Sequence, residues 1–116
     1  DEPIEWNRLR KAINAKMSSG DFKINEDKLM GPFFLSKKVI ASDENGEIID
    51  REKFIKAFKS KVIMYLYEDA VKQGKHRFFD GCPDTGNYSS VCDAFKTMGL
   101  AIFGPTFKES FYDKED

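Results

Sequence analysis

The chain is short of the residues on which most small catalytic and metal-binding sites depend. It holds one histidine, His76, and two cysteines, Cys82 and Cys92, among 116 residues. A Ser-His-Asp or Cys-His machine would have to run through His76, which follows Gly74-Lys75 and precedes Arg77 in a polar turn. That setting argues against a catalytic imidazole. Cys82 and Cys92 lack the close CxxC spacing of a zinc or redox pair, and two cysteines make no disulfide framework. They read as free thiols of a reducing, cytoplasmic compartment, with one bridge between them as the alternative. No GxxxxGK[ST] loop is present, so this chain alone cannot cradle a triphosphate. No apolar run approaches the ~20 residues that cross a bilayer, and Asp1-Glu2-Pro3 opens no signal peptide. The missing initiator Met leads to the expectation of a processed product or a fragment of a longer chain. Charge of one sign is also lacking. Nineteen Lys and Arg against 20 Asp and Glu give a net charge of -1, which argues against a dedicated nucleic-acid or anionic-membrane module while leaving room for a local basic face.

What the chain has in quantity is phenylalanine, eleven residues in an aromatic content of 14%. With 41% hydrophobic and 34% charged residues, it is neither disordered nor membrane-spanning. A chain of this size buries roughly 65% of its unfolded surface, so residues 1-116 read as a single domain with a Phe-rich core or interface. Trp6, Leu9, Ile13 and Met17 recur at helical spacing and form one apolar stripe. Asn7, Arg8, Arg10, Lys11 and Asn14 fall on its wet face. Pro3, with Asp1 or Glu2 at the cap, suits the helix start, and Ser18-Ser19-Gly20 its stop. A polar linker follows from Asp21 to Asp27, anchored by Phe22 and Ile24. Gly31-Pro32 then breaks the chain, and Phe33 to Leu35 reads as a short buried strand or coil.

Val39-Ile40-Ala41 and Glu47-Ile48-Ile49 flank an Asn45-Gly46 turn, which predicts a small β-hairpin. Asp43-Glu44-Asn45-Gly46 only faintly echoes a calcium loop, since the twelfth-position glutamate is missing. Asp50 can cap a long helix over about residues 51–72, with Phe54, Phe58, Val62, Tyr65 and Asp69 in one row and Ile55, Ile63, Leu66 and Ala70 beside it. A face this broad predicts a central helix packed on two sides. A loop from Asp80 to Asn87 leads to a shorter helix capped by Ser89 or Ser90, with Val91, Ala94, Phe95 and Met98 inward. The tail from Lys108 to Asp116 is charged and expected to fray, apart from Phe111 and Tyr112. The fold class is mainly α with a small β-hairpin (α+β), a compact helical domain.

Two features carry candidate chemistry. Lys53, Lys56 and Lys59 recur every three residues and could form a basic ridge for phosphates of nucleotide or nucleic acid; the plainer reading is the solvated face of an amphipathic helix. The second is a resemblance. Leu9-Arg10-Lys11-Ala12-Ile13-Asn14-Ala15-Lys16-Met17, then Asn25-Glu26-Asp27-Lys28-Leu29-Met30-Gly31-Pro32-Phe33-Phe34-Leu35, and later Phe58 to Ala70 followed by Phe78-Phe79, resemble the C-terminal helical lid of McrB-type AAA+ ATPases. These are the motor subunits of modification-dependent restriction systems, a form of DNA defence. The resemblance covers roughly half the chain, and residues from Gly81 onward match nothing in it. Many relatives carry Gly-His-Ser-Tyr-Phe where this chain has Gly31-Pro32-Phe33-Phe34.

The resemblance implies a lid that packs over a nucleotide and passes its state to a neighbouring subunit of a ring. The Walker motifs, sensor 1 and arginine finger would lie N-terminal to Asp1, in an AAA+ core of the same chain. It places Asp27, Lys28 and Gly31 nearest the nucleotide. Lys28 would contact phosphate or base, and Gly31 would allow close backbone approach. ATP or GTP with magnesium would be bound only by the full-length, ring-forming protein, with a nuclease subunit as a further partner and no membrane. The chain alone would be no enzyme. The alternative is a free-standing domain that holds a protein or nucleic acid through its Phe-rich surface or basic ridge. A full-length frame with a phosphate loop upstream would decide for the lid, and translation beginning near Asp1 would decide against it.

Overall fold

In the computed structural model, residues 6–20, 22–45, 48–104 and 107 are described. The expected cap at Asp1 or Glu2, Pro3, the turn tip at Gly46-Glu47, and the tail with Phe111 and Tyr112 lie outside them. The described residues are mainly helical, and their one β feature is an isolated antiparallel bridge between Ser42 and Ile48. The chain divides into two compact units, Asp1–Val62 and Ile63–Asp116.

In the first unit α1 spans Trp6–Ser18 and buries the stripe Trp6, Leu9, Ile13 and Met17. Ser19 ends it, its amide and hydroxyl both donating to the Lys16 carbonyl. The chain then reverses through Lys23, whose φ is +49°, and the Ile24 amide donates to the Met17 carbonyl at 2.9 Å. From there it runs back along α1. The Gly31 carbonyl accepts from the Phe34 amide at 3.2 Å, closing a turn in which Pro32 occupies the position its fixed φ suits. Phe33 stands at the corner and is 63% exposed, so of the expected buried strand or coil at Phe33 to Leu35 the strand does not form and the burial is partial: the segment is a turn in which Leu35 is buried and Phe34 half-buried. Among the described residues the hairpin shows the Ser42–Ile48 bridge and a bond from the Ile49 amide to the Ala41 carbonyl. Asp43 turns its carboxylate back onto the Asn45 amide at 2.8 Å, a local bond that competes with ladder pairing.

Asp50 caps α2, Arg51–Ala57, by accepting from the Lys53 amide at 3.0 Å. Phe54 lies between the rings of Trp6, 6.3 Å away and edge-on, and Phe58, 5.8 Å away. After Ala57 the winding changes to π over Phe58–Ile63 and again over Leu66–Ala70. In the second stretch the Val71 amide donates to the Leu66 carbonyl, five residues back. An i→i+5 winding adds residues to each turn. It leaves Tyr65 half-buried and Asp69 exposed, and places Tyr67 and Val71 on the buried face with Leu66 and Ala70. The helix also stops at Ala70, short of the expected Lys72. Gly74 instead opens the short α3, Lys75–Phe78, with φ +79°.

The second unit is built on rings. Phe78, Phe79 and Phe103 contact one another at 5.3 to 6.0 Å between centroids. Tyr67 joins Phe79 and donates its hydroxyl to the Thr85 carbonyl at 2.7 Å. The cap of α4, Tyr88–Met98, is Asn87 rather than Ser89 or Ser90, its side chain accepting from the Ser90 amide. A 3-10 turn, Gly99–Phe103, follows. Its Ile102 carbonyl accepts from the Gly81 amide at 3.1 Å, and the Ala101 carbonyl sits where a Cβ on Gly81 would go. Main chain on main chain leaves nothing flexible to yield, so Gly81→Ala is expected to cost about 1–3 kcal/mol. Gly31, with open space at its Cβ position, should tolerate Ala within about 0.5 kcal/mol. Urea denaturation of the two variants checks the contrast.

Candidate functional site

The turn singled out by sequence is a 3-10 turn, Glu26–Lys28. The Lys28 amide donates to the Asn25 carbonyl and the Leu29 amide to the Glu26 carbonyl, at 2.9 and 3.2 Å. Asp27 is exposed and Lys28 half-buried. Gly31 is exposed.

Two residues assigned to the wet face of α1 bind this segment. Asn14 pairs with Met30 on both sides of the main chain: Nδ2 donates to the Met30 carbonyl and Oδ1 accepts from the Met30 amide, each at 2.9 Å. Arg10 donates through Nη1 to the same carbonyl at 3.1 Å. Trp6 donates from its indole nitrogen to the Pro32 carbonyl at 2.8 Å. Trp6, Arg10 and Asn14 are spaced by four residues and so form one row along α1. The signal available in the sequence was that spacing, adjoining the apolar stripe. Their partners are backbone groups, which leave no trace in residue type.

The basic ridge is partly formed. Lys53 and Lys56 project from α2 into solvent, while Lys59 lies in the π stretch and is half-buried. His76 is exposed on α3. Among the described residues no group of three or more His, Cys, Asp or Glu could hold a metal ion, and no helix is long and apolar enough to cross a membrane. Both cysteines are free thiols. Burial, with Asp80 nearby, pushes the Cys82 thiol up to about 11. At pH 8 it should therefore be alkylated by iodoacetamide roughly a hundredfold more slowly than an unperturbed cysteine. Peptide mapping by mass spectrometry against time gives the rate.

No protein-family model and no solved structure matches the chain. Over 69 residues it is 35% identical to the protein described as "Type II restriction enzyme BsuMI component YdiS" of Bacillus subtilis (strain 168). The match takes in 60% of this chain but only 16% of that relative.

Proposed function

We propose that this chain serves a restriction system as a helical lid of a nucleotide-driven motor of the McrB-type AAA+ class. The observation that carries the reading is the similarity to a restriction-enzyme component. It agrees with the resemblance carried by the helix of Ile13-Asn14, the turn of Asp27-Lys28 and Gly31. In this reading the lid closes over ATP or GTP bound by a phosphate loop elsewhere in the same polypeptide. Lys28 supplies positive charge to the phosphates, and magnesium is held outside the described residues. Ring neighbours and a nuclease subunit are the partners the reading calls for.

The isolated chain is then expected neither to hydrolyse nor to bind a nucleoside triphosphate tightly, because phosphoryl transfer needs a phosphate cradle and a magnesium-holding acid. Titration calorimetry with ATP and GTP measures this, and a micromolar dissociation constant for the chain alone would overturn the lid reading. The full reading frame is the second test: a GxxxxGK[ST] loop and a Walker B strand upstream of Asp1 are required.

A second reading, a free-standing interaction domain, draws on the exposed Phe33 ring, with Lys37 Nζ 5.4 Å from its centroid, and on exposed Lys53 and Lys56. It calls for binding of duplex DNA or of a protein without nucleotide. Anisotropy of labelled duplex at two salt concentrations separates it from the first, since phosphate contacts weaken steeply with salt.

A further inference from the structure

We propose that the row Trp6, Arg10 and Asn14 is a positioning device for Lys28, setting how far that lysine reaches toward the nucleotide; this rests on the lid reading above. Only Leu29 separates Lys28 from Met30. Met30 is fixed to α1 through both its amide and its carbonyl by Asn14, and again through its carbonyl by Arg10. Two residues on, the Pro32 carbonyl is fixed by Trp6. On the other side of Lys28, the 3-10 bonds to the Asn25 and Glu26 carbonyls set the turn itself. The lysine thus stands on a short span whose exit is bolted to a helix at three points.

The chemistry of the bolts separates them from ordinary packing. An apolar contact would hold the segment against α1 but leave its register free to slide. The paired amide of Asn14 accepts and donates at once, and a slide of two residues would offer it either Pro32, which has no N–H, or Lys28, whose amide already donates to the Asn25 carbonyl. Arg10 adds a charged donor to the same carbonyl, and charge-assisted bonds are the stronger kind. The turn can therefore present Lys28 at one height along α1. When the base of a lysine that meets a phosphate oxygen moves by about an ångström, its flexible stem must leave its best rotamers to keep the contact, which weakens it.

Asn14→Asp is the sharpest variant. It keeps the shape and the acceptor for the Met30 amide, and replaces the donor with an oxygen facing the Met30 carbonyl. Steady-state hydrolysis by the full-length protein is compared for wild type, Asn14→Asp, Lys28→Ala and the double variant. The expected result is a drop in kcat/KM of about tenfold for Asn14→Asp, with the double variant no worse than Lys28→Ala alone, because a positioning residue has nothing left to position. Additive losses would mean that Asn14 acts on folding or elsewhere, and would overturn the inference. So would an Asn14→Asp enzyme with wild-type kcat/KM beside an impaired Lys28→Ala. If Lys28→Ala itself is unimpaired, the lid reading falls and the inference with it. Should Asn14→Asp fail to fold, Trp6→Phe carries the same cycle: it keeps a ring against Phe54 and loses the bond to the Pro32 carbonyl.

Discussion

Phe58→Ala is expected to destabilise the protein by about 3–5 kcal/mol. The side chain is fully buried, at 0% exposure, and its ring lies against Phe54. Truncation removes the transfer free energy of the ring and leaves a cavity beside it, because the surrounding aromatics relax only in part. Phe58 is also the first residue of a π-helical stretch, where the main-chain geometry is already unusual and less able to collapse onto a void. Domains of this size have about 5–15 kcal/mol to lose, so the variant should sit near the edge of folding at 37 °C. Urea denaturation of wild type, Phe58→Ala and Phe58→Leu gives the values. Phe58→Leu refills most of the volume and should lose less than half as much. An alanine variant within 1 kcal/mol of wild type, roughly the size of an ordinary surface effect, would contradict the packing described here.

The second large effect is on turnover. On the lid reading proposed above, Lys28→Ala in the full-length protein should weaken nucleotide binding or slow hydrolysis by roughly tenfold to a hundredfold, the equivalent of one charge-assisted hydrogen bond of about 1.5–3 kcal/mol. Folding should change little, since the turn around Lys28 is closed by main-chain bonds that the substitution keeps, the Lys28 amide to the Asn25 carbonyl and the Leu29 amide to the Glu26 carbonyl. Lys37 and Lys38 are exposed and follow the Gly31–Phe34 turn in the chain, and their alanine variants should keep turnover within about twofold of wild type. The comparison is made at matched ring occupancy. A Lys28→Ala protein with wild-type turnover and an unchanged Michaelis constant would make the turn structural and remove its role in nucleotide contact.

The legible parts of this fold are those set by a regular period. Trp6, Leu9, Ile13 and Met17 are buried as their spacing requires, and so are Val91, Ala94 and Phe95 on α4. The central helix was legible in its start, its Asp50 cap and most of its core face. Its π winding was not, because no residue type marks it, and that winding exchanged Tyr65 for Tyr67. Phe33 misled because its hydrophobicity outweighed the Gly31-Pro32 turn that exposes it. Asn87 takes the cap in place of Ser89 or Ser90: Asn is an equally good cap residue, and the helix begins two positions earlier than a Ser89 cap would set it. Of the candidate site, the turn of Asp27 and Lys28 is singled out in the sequence only by resemblance. Of the row on α1, Trp6 belongs to the apolar stripe by spacing, while Arg10 and Asn14 fall on the wet face, since they bond to carbonyl and amide groups that every sequence carries.

That last property bears on how the turn can vary. A grip on main chain asks nothing of the side chains it grips. Any residue but proline at position 30 offers the amide and carbonyl that Asn14 needs, and any residue at position 32 offers the carbonyl that Trp6 needs. Position 31 has open space for a side chain. The exposed part of the turn, Gly31-Pro32-Phe33, is thus free to vary in sequence, while its placement is set by three residues on a different element. In a saturation library the tolerant positions should be the exposed ones, 31 to 33, and the intolerant ones should lie 16 to 26 residues upstream of the main-chain groups they hold.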